Sequence, residues 1–137
     1  MIEQKLLIVD DQDDLRRMLR IALGDGKYAL LEAATGAEAL KIAEQEHPDV
    51  ILLDVMMPGG MHGFEVCGRI RHSAYARGKP PYIALLTALE QPDDIASGQA
   101  VGADIYIIKP YSPVRLIEVV ESRLRSARGI PVVRLFH

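Results

Sequence analysis

Short runs of apolar residues alternate along the chain with longer segments in which apolar residues recur every three or four positions. The runs occupy residues 6–9, 28–33, 50–53, 82–86 and 105–108. A short apolar run between polar or turn residues is typical of a strand that is buried on both faces of a parallel sheet. The pattern therefore predicts five strands.

The segments between and after these runs carry the signals of five helices. The signals are the helical spacing from Leu15 to Ala22, the capping-box pair Thr35 and Glu38, the segments 64–71 and 92–101, and Ser112 with Pro113 at the start of the last helix. Regular alternation of strands and helices is typical of an α/β domain with a parallel sheet covered on both faces. We therefore predict one doubly wound α/β domain with right-handed crossovers.

Charged and hydroxyl side chains stand at the ends of four of these strands. Asp10 and Asp11 follow the first strand, Asp54 the third, Thr87 the fourth and Lys109 the fifth. In an open parallel sheet, ligands bind at the carboxyl ends of the strands, so we expect these side chains to converge. Three carboxylates and one ammonium around a single point form a site for a hard cation and a phosphoryl group.

Mg²⁺ is the cation that this donor set favours, because it binds oxygen ligands and commonly works with one or two carboxylates plus a phosphate. Zn²⁺ is disfavoured, since no cluster of His and Cys stands at ligand spacing. An aspartate can itself attack phosphorus and form an aspartyl phosphate. Acidic residues also cap helices, which would explain Asp11, Asp13 and Asp14 taken singly. Capping does not explain the whole strand-end set.

Composition narrows the class of protein without changing this picture. The chain has 137 residues, of which 49% are hydrophobic, enough for one domain with one sizeable core. A formal net charge of -3 gives no reason to expect a nucleic-acid surface. The lone cysteine, Cys67, fits a reducing compartment. No apolar stretch approaches the ~20 residues that span a bilayer, and we expect no signal peptide before the first strand. We expect a cytoplasmic domain.

Four motifs contain the strand-end residues. They are Ile8-Val9-Asp10-Asp11, Leu53-Asp54-Val55-Met56-Met57-Pro58, Leu86-Thr87-Ala88, and Gly102-Ala103-Asp104 leading to Lys109-Pro110. Together they resemble the receiver domain of two-component response regulators, over about residues 5–127. The resemblance implies a flavodoxin-like, doubly wound sheet of five parallel strands in the order 2-1-3-4-5, with five helices.

The resemblance also implies roles for the acidic residues. Asp54 would be the phosphoacceptor. Asp10 and Asp11 would hold Mg²⁺ together with the Asp54 carboxylate and the main-chain carbonyl of Met56. The site would therefore combine a nucleophile with a bound cation.

Four further positions take roles from the same resemblance. Thr87 and Lys109 would contact the phosphoryl oxygens, with the amide of Ala88 beside them. Tyr106 matches the switch aromatic of the family, which turns inward as Thr87 is drawn toward the phosphoryl group. Such a protein is a phosphorylation-dependent signalling switch, and it promotes its own phosphorylation and dephosphorylation.

Partners and domain limits follow from the resemblance as well. The phosphoryl donor would be a sensor histidine kinase or a histidine phosphotransfer protein. The output face would be built by the fourth helix, fifth strand and fifth helix, through which relatives form homodimers. Residues 1–128 would form the receiver domain. The apolar residues 129–137 would be a tail, which docks on the domain or pairs with another chain, or the start of a linker to a longer regulator.

One loop departs from the family pattern. The segment after Pro58 is one residue longer than usual, and His62 stands where Asp is common. We expect His62 at the surface, and we expect the altered loop to affect access to Asp54.

Three other functions compete with this one. A small-molecule phosphatase would need a second carboxylate two residues beyond Asp54, where Met56 stands. An NTPase fragment would need a Gly-x4-Gly-Lys-Ser/Thr loop, which the chain lacks. A receiver that serves only as a protein-binding module would not need the intact acidic cluster, Thr87 and Lys109.

Overall fold

The computed structural model describes residues 4–23, 28–56, 62–73, 78–87, 102–108 and 112–127. Five strands and four helices lie in this part of the chain. In chain order they are β1 (Gln4–Val9), α1 (Asp13–Leu23), β2 (Tyr28–Ala33), α2 (Gly36–Glu46), β3 (Val50–Asp54), α3 (Gly63–Arg71), β4 (Tyr82–Thr87), β5 (Ile105–Ile108) and α4 (Pro113–Ala127). The predicted helix at 92–101 falls outside the described residues.

The strands form one parallel sheet in the order β2-β1-β3-β4-β5, which confirms the predicted topology. Two of the strands extend one residue further than their apolar runs. Asp54 stays in register with Leu86, and Thr87 with Ile108, so both functional side chains belong to the strands themselves. The backbone ladder, rather than the apolar pattern, sets where these strands end.

Successive side chains of each strand point to opposite faces of the sheet, so the core has two layers. On one face, Leu6, Ile8 and Leu52 pack with the buried sides of α1 and α4. On the other face, Leu7 and Leu53 pack with the buried sides of α2 and α3. Because side chains of successive strand residues point to opposite faces, one continuous apolar run supplies both layers.

The start of α2 shows the predicted capping box. The Thr35 hydroxyl accepts a hydrogen bond from the Glu38 amide at 3.2 Å, and the Glu38 carboxylate accepts one from the Ala34 amide at 2.7 Å. The helix ends at His47, whose backbone is left-handed with a φ of 50°. These contacts satisfy main-chain groups that have no partner inside the helix.

Arg71, the last residue of α3, contacts the amino-terminal ends of the strands, opposite to the end where the acidic cluster lies. The Arg71 guanidinium donates to the carbonyls of Gly102 and Pro81, each at 2.7 Å, and forms an ion pair with Asp104 at 2.6 Å. The Asp104 carboxylate also accepts from the Ile83 amide at 2.8 Å. The Gly102-Ala103-Asp104 motif thus joins the beginnings of β4 and β5 to α3.

Candidate functional site

The strand register brings the acidic residues together. Val9 is paired with Leu53 across β1 and β3, so Asp10 and Asp54 follow at the same level on neighbouring strands. Adjacent strands lie about 4.8 Å apart. One carboxylate oxygen from each of Asp10, Asp11 and Asp54 lies within 4.8 Å of the others. The predicted convergence of the three carboxylates is therefore present.

The three carboxylates differ in their contact with solvent. Asp10 is completely buried and Asp54 is 2% exposed, whereas Asp11 is exposed. A cluster with one open side gives a ligand a route from solvent to the buried pair. Within the part of the chain that the structure describes, this is the one group of three His, Cys, Asp or Glu side chains that could hold a metal ion.

Each buried carboxylate is fixed by a main-chain amide two residues further along. The Gln12 amide donates to Asp10 Oδ1 at 2.8 Å, and the Met56 amide donates to Asp54 Oδ1 at 3.1 Å. Aspartate commonly bonds the backbone in this way at the start of a loop. These contacts fix the orientation of the two carboxylates.

Mutual repulsion makes the cluster a receptor for a cation. Two unit charges about 4 Å apart at an effective dielectric constant of about 20 interact by about 4 kcal/mol. A divalent cation among Asp10, Asp11 and Asp54 turns this repulsion into attraction. The donor atoms are all carboxylate oxygens, which suits a hard cation.

Thr87 ends the next strand beside the cluster. It is completely buried, and it follows Leu86, whose carbonyl accepts a hydrogen bond from the Val55 amide at 3.0 Å. Tyr106 is half-buried on β5 and packs against the α2 and α3 side of the core. Lys109 and Ala88, both predicted site residues, lie outside the described residues.

Gly63 is a site residue that the sequence analysis missed. A Cβ atom at this position would lie 2.5 Å from the Asp54 carbonyl oxygen and 2.6 Å from the Val55 Cα. The Gly63 amide also donates to the Val55 carbonyl at 2.9 Å. The first residue of α3 therefore packs directly on the backbone that carries Asp54. A glycine at a predicted helix start was the available signal, but the sequence does not show what the helix start touches.

His62 is half-buried, not the surface residue that the sequence predicted. Its Nδ1 accepts a hydrogen bond from the Phe64 amide at 3.2 Å, and its ring lies 4.9 Å from the Phe64 ring. His62 therefore caps the N-terminus of α3, the task for which Asp is suited. The ring contact with Phe64 accounts for the burial.

Comparison with known proteins agrees with this geometry. A model of the response regulator receiver domain matches residues 6–121. The transcriptional regulatory protein ResD of Bacillus subtilis is 41% identical over 125 residues, which cover 91% of this chain and 50% of that protein. A probable transcriptional regulator ycf27 of Porphyridium aerugineum is 40% identical over 126 residues, which cover 92% of this chain and 48% of that protein.

Solved structures show the same fold. The chemotaxis protein CheY4 of Vibrio cholerae superposes with a TM-score of 0.77 at 35% identity, covering 88% of this chain and 98% of that one. The receiver domain of DrrB, in a BeF3-activated form, has a TM-score of 0.75 at 27% identity, with coverage of 90% and 99%.

The chain belongs to the receiver domain family of two-component response regulators. It spans about half the length of the curated relatives that it matches. No helix among the described residues is long and apolar enough to cross a membrane.

Proposed function

We propose that Asp54 is the residue that accepts the phosphoryl group, from a sensor histidine kinase or a histidine phosphotransfer protein. The observation that carries this assignment is the convergence of Asp10, Asp11 and Asp54 within 4.8 Å, with Asp54 on the central strand β3. A carboxylate oxygen of Asp54 would attack phosphorus, and the P–N bond of phosphohistidine would break. The product is an acyl phosphate on Asp54 and a neutral or protonated histidine on the donor.

Mg²⁺ is the proposed cofactor. Asp10, Asp11 and Asp54 would hold it with their carboxylates, and the main-chain carbonyl of Met56 would complete the protein ligands. When bound, the ion neutralises charge on the phosphoryl oxygens. The all-oxygen donor set and the open side at Asp11 support this choice over a softer metal.

Thr87, Lys109 and the amide of Ala88 are the proposed contacts to the phosphoryl oxygens. Thr87 is buried at the end of β4, the strand that adjoins β3. Lys109 follows Ile108, the register partner of Thr87. A hydroxyl, an amide and an ammonium would share the negative charge, and the same groups would let the protein promote its own phosphorylation and dephosphorylation.

The phosphoryl group would then bias a two-state equilibrium of the output face. Thr87 would move toward the new charge, and Tyr106 would turn further into the space beside β4. The face comprises the predicted helix at 92–101, β5 and α4. Ile108 and Val114 on this face are 37% and 62% exposed, which supports a homodimer or a partner contact there.

The remaining assignments concern the whole chain. Residues 1–128 form the proposed receiver domain, and residues 129–137 a tail or the start of a linker. We place the domain in the cytoplasm, where two-component phosphotransfer needs it. With a net charge of -3, this segment itself binds no nucleic acid in our proposal.

The direct test is intact mass after incubation with acetyl phosphate. Wild type should gain one phosphoryl group when Mg²⁺ is present and none when it is chelated. Asp54→Asn should gain none under either condition. Asp14→Asn removes one exposed carboxylate from α1 and is the matched control, which should behave as wild type. Equal labelling of Asp54→Asn and wild type would refute the assignment. Labelling of neither would favour a phosphorylation-independent binding module.

A further inference from the structure

Arg16 makes hydrogen bonds to three separate parts of the chain from one guanidinium group. It lies in the first half of α1, and its side chain is only 14% exposed. Nη1 donates to the main-chain carbonyl of Asp10, and Nη2 pairs with the Asp13 carboxylate. Nε pairs with Glu32 on β2 at 3.2 Å. A buried arginine with each nitrogen engaged defines the position of the groups around it.

The contact with Asp10 fixes the peptide that joins two residues of the acidic cluster. The Asp10 carbonyl belongs to the peptide plane shared with Asp11, and Arg16 holds its oxygen. The other side of Asp10 is held by its amide, which donates to the Ala33 carbonyl at 3.1 Å. A fixed peptide plane limits where the exposed carboxylate of Asp11 can point.

Glu32 supplies the anchor that keeps the guanidinium in place. Its carboxylate pairs with Arg16 through one oxygen and with Arg20 through the other, at 2.5 Å. Glu32 is one residue before the end of β2, and that strand is paired with β1 up to Val9. Glu32 on the edge strand β2 therefore holds Arg16, and Arg16 in turn holds the loop that carries the acidic cluster.

We propose that Arg16 is a positioning residue for the cation site. It acts by holding the Asp10–Asp11 peptide in the orientation that lets both carboxylates meet Asp54, and the inference rests on the proposed function of that cluster in binding Mg²⁺. Supporting residues around a metal site typically change metal affinity by about 10- to 100-fold when they are replaced.

The charge of Arg16 and its contact with the Asp10 carbonyl predict opposite changes in Mg²⁺ affinity when Arg16 is replaced. A positive charge near three carboxylates competes with a divalent cation, so its removal would by itself tighten Mg²⁺ binding. Loss of the peptide contact would loosen the site and weaken Mg²⁺ binding. The sign of the change in affinity therefore separates the two roles.

The chain offers a matched control in the next residue. Arg17 carries the same charge on the same helix, but its side chain is exposed. Arg17→Gln removes a charge from the next position of α1 without removing the contact to Asp10. Arg16→Lys does the reverse, because it keeps the charge and loses the forked geometry that reaches three acceptors.

The experiment measures Mg²⁺ affinity of the full chain by calorimetry, and Mn²⁺ affinity by the loss of the free-ion EPR signal. Arg16→Gln and Arg16→Lys should both bind each ion about 10-fold more weakly than wild type. Arg17→Gln should bind with equal or slightly higher affinity. Circular dichroism and thermal unfolding establish whether each variant is folded. If Arg16→Gln does not fold, the test uses Arg16→Lys alone.

The outcomes separate the two proposals. Unchanged or tighter binding by both Arg16 variants would overturn the positioning role while leaving the cation site intact. Absence of Mg²⁺ and Mn²⁺ binding by wild type would overturn the proposed cation site, and the role of Arg16 with it. Equally weak binding by Arg17→Gln would show that the loss of affinity does not depend on the contact with Asp10, and it would also overturn the positioning role.

Discussion

Buried polar side chains collect at a single edge of the sheet. Among the described residues, the buried polar side chains are those of Asp10, Asp54 and Thr87. Each of the three residues lies at the carboxyl end of a strand. Burying a carboxylate or a hydroxyl costs free energy unless it is hydrogen-bonded. Main-chain amides offset part of this cost at Asp10 and Asp54. Apolar residues at these positions would avoid the remaining cost, so stability alone does not explain the buried polar groups.

Gly63→Ala should damage both the fold and the site. The new methyl group would meet the Asp54 carbonyl oxygen and the Val55 Cα at contact distances that require the backbone to move. We expect a loss of about 1–3 kcal/mol in the free energy of unfolding. We also expect slower labelling of Asp54 by acetyl phosphate, measured by intact mass.

Gly78→Ala is the control for this change. A Cβ atom at Gly78 would meet no atom within 4 Å, so alanine should leave urea unfolding and labelling unchanged or slightly improve stability. Equal behaviour of Gly63→Ala and Gly78→Ala would contradict the close packing of α3 on the end of β3.

Cys67 should remain an unreactive thiol in the folded protein. Burial raises its pKa from 9.0 to about 11, with Arg71 opposing and Asp104 reinforcing the shift. Iodoacetamide at pH 8 should label the native chain far more slowly than the chain in urea. Labelling of both at the same rate would show that the thiol is accessible.

The raised pKa of Cys67 also fixes the sign of a pH effect on stability. The thiol stays protonated in the folded state when the unfolded chain has already lost its proton. Its contribution to the free energy of unfolding is therefore complete below pH 9 and declines from there to about pH 11. The slope should reach at most about 1.4 kcal/mol per pH unit, and Cys67→Val should lack it.

At the scale of elements, β3 connects the two halves of the core. Leu52 packs on the α1 and α4 side, and Leu53 packs on the α2 and α3 side. Both residues are completely buried, as expected for a central strand covered by helices on both faces. Asp54 follows directly, so packing on either face sets the position of the proposed phosphoacceptor.

Leu52→Ala and Leu53→Ala should each destabilise the protein by about 2–5 kcal/mol, because each leaves a cavity in a closed layer. Denaturant unfolding measures the loss. Ile21→Ala, at a position on α1 that is 74% exposed, should change stability by less than about 0.5 kcal/mol. A small effect at one of the two leucines would mean that its face of the sheet is not covered.

At the scale of the whole molecule, binding of the proposed cation to the acidic cluster would raise the stability of the fold. Three converging carboxylates oppose folding when no cation is bound, and an ion that binds only the folded state raises its stability. At a Mg²⁺ concentration of 100 times Kd, the gain should be about 2.7 kcal/mol.

Asp54→Asn should weaken this dependence on Mg²⁺. Without the ion, the variant should be more stable than wild type by about 1 kcal/mol or more, since one of the repelling charges is gone. With the ion, it should gain much less than wild type. Thermal unfolding with Mg²⁺ or EDTA measures both effects, and Asp14→Asn should follow wild type. An identical response of Asp54→Asn and wild type would contradict the cluster as the cation site.

The pattern of the sequence was sufficient to predict the parallel sheet and the convergence of Asp10, Asp11 and Asp54, whereas the strand order came from the resemblance to receiver domains. Apolar runs and strand-end charges are local signals, and parallel topology places them at one edge. The roles of Gly63 and Arg16 were not predictable in this way. They depend on where a helix start meets a strand end, and on which acceptors a long side chain can reach. Both facts arise only when distant segments pack together.

Asp54 as the phosphoacceptor is the central claim, and trapping the acyl phosphate tests it most directly. The protein is phosphorylated with acetyl phosphate and Mg²⁺, reduced with borohydride, digested and sequenced by mass spectrometry. Borohydride converts an aspartyl phosphate to homoserine and leaves free aspartate unchanged. The account predicts homoserine at position 54 and aspartate at positions 10 and 11. Homoserine at Asp10 or Asp11, with Asp54 unmodified, would contradict it.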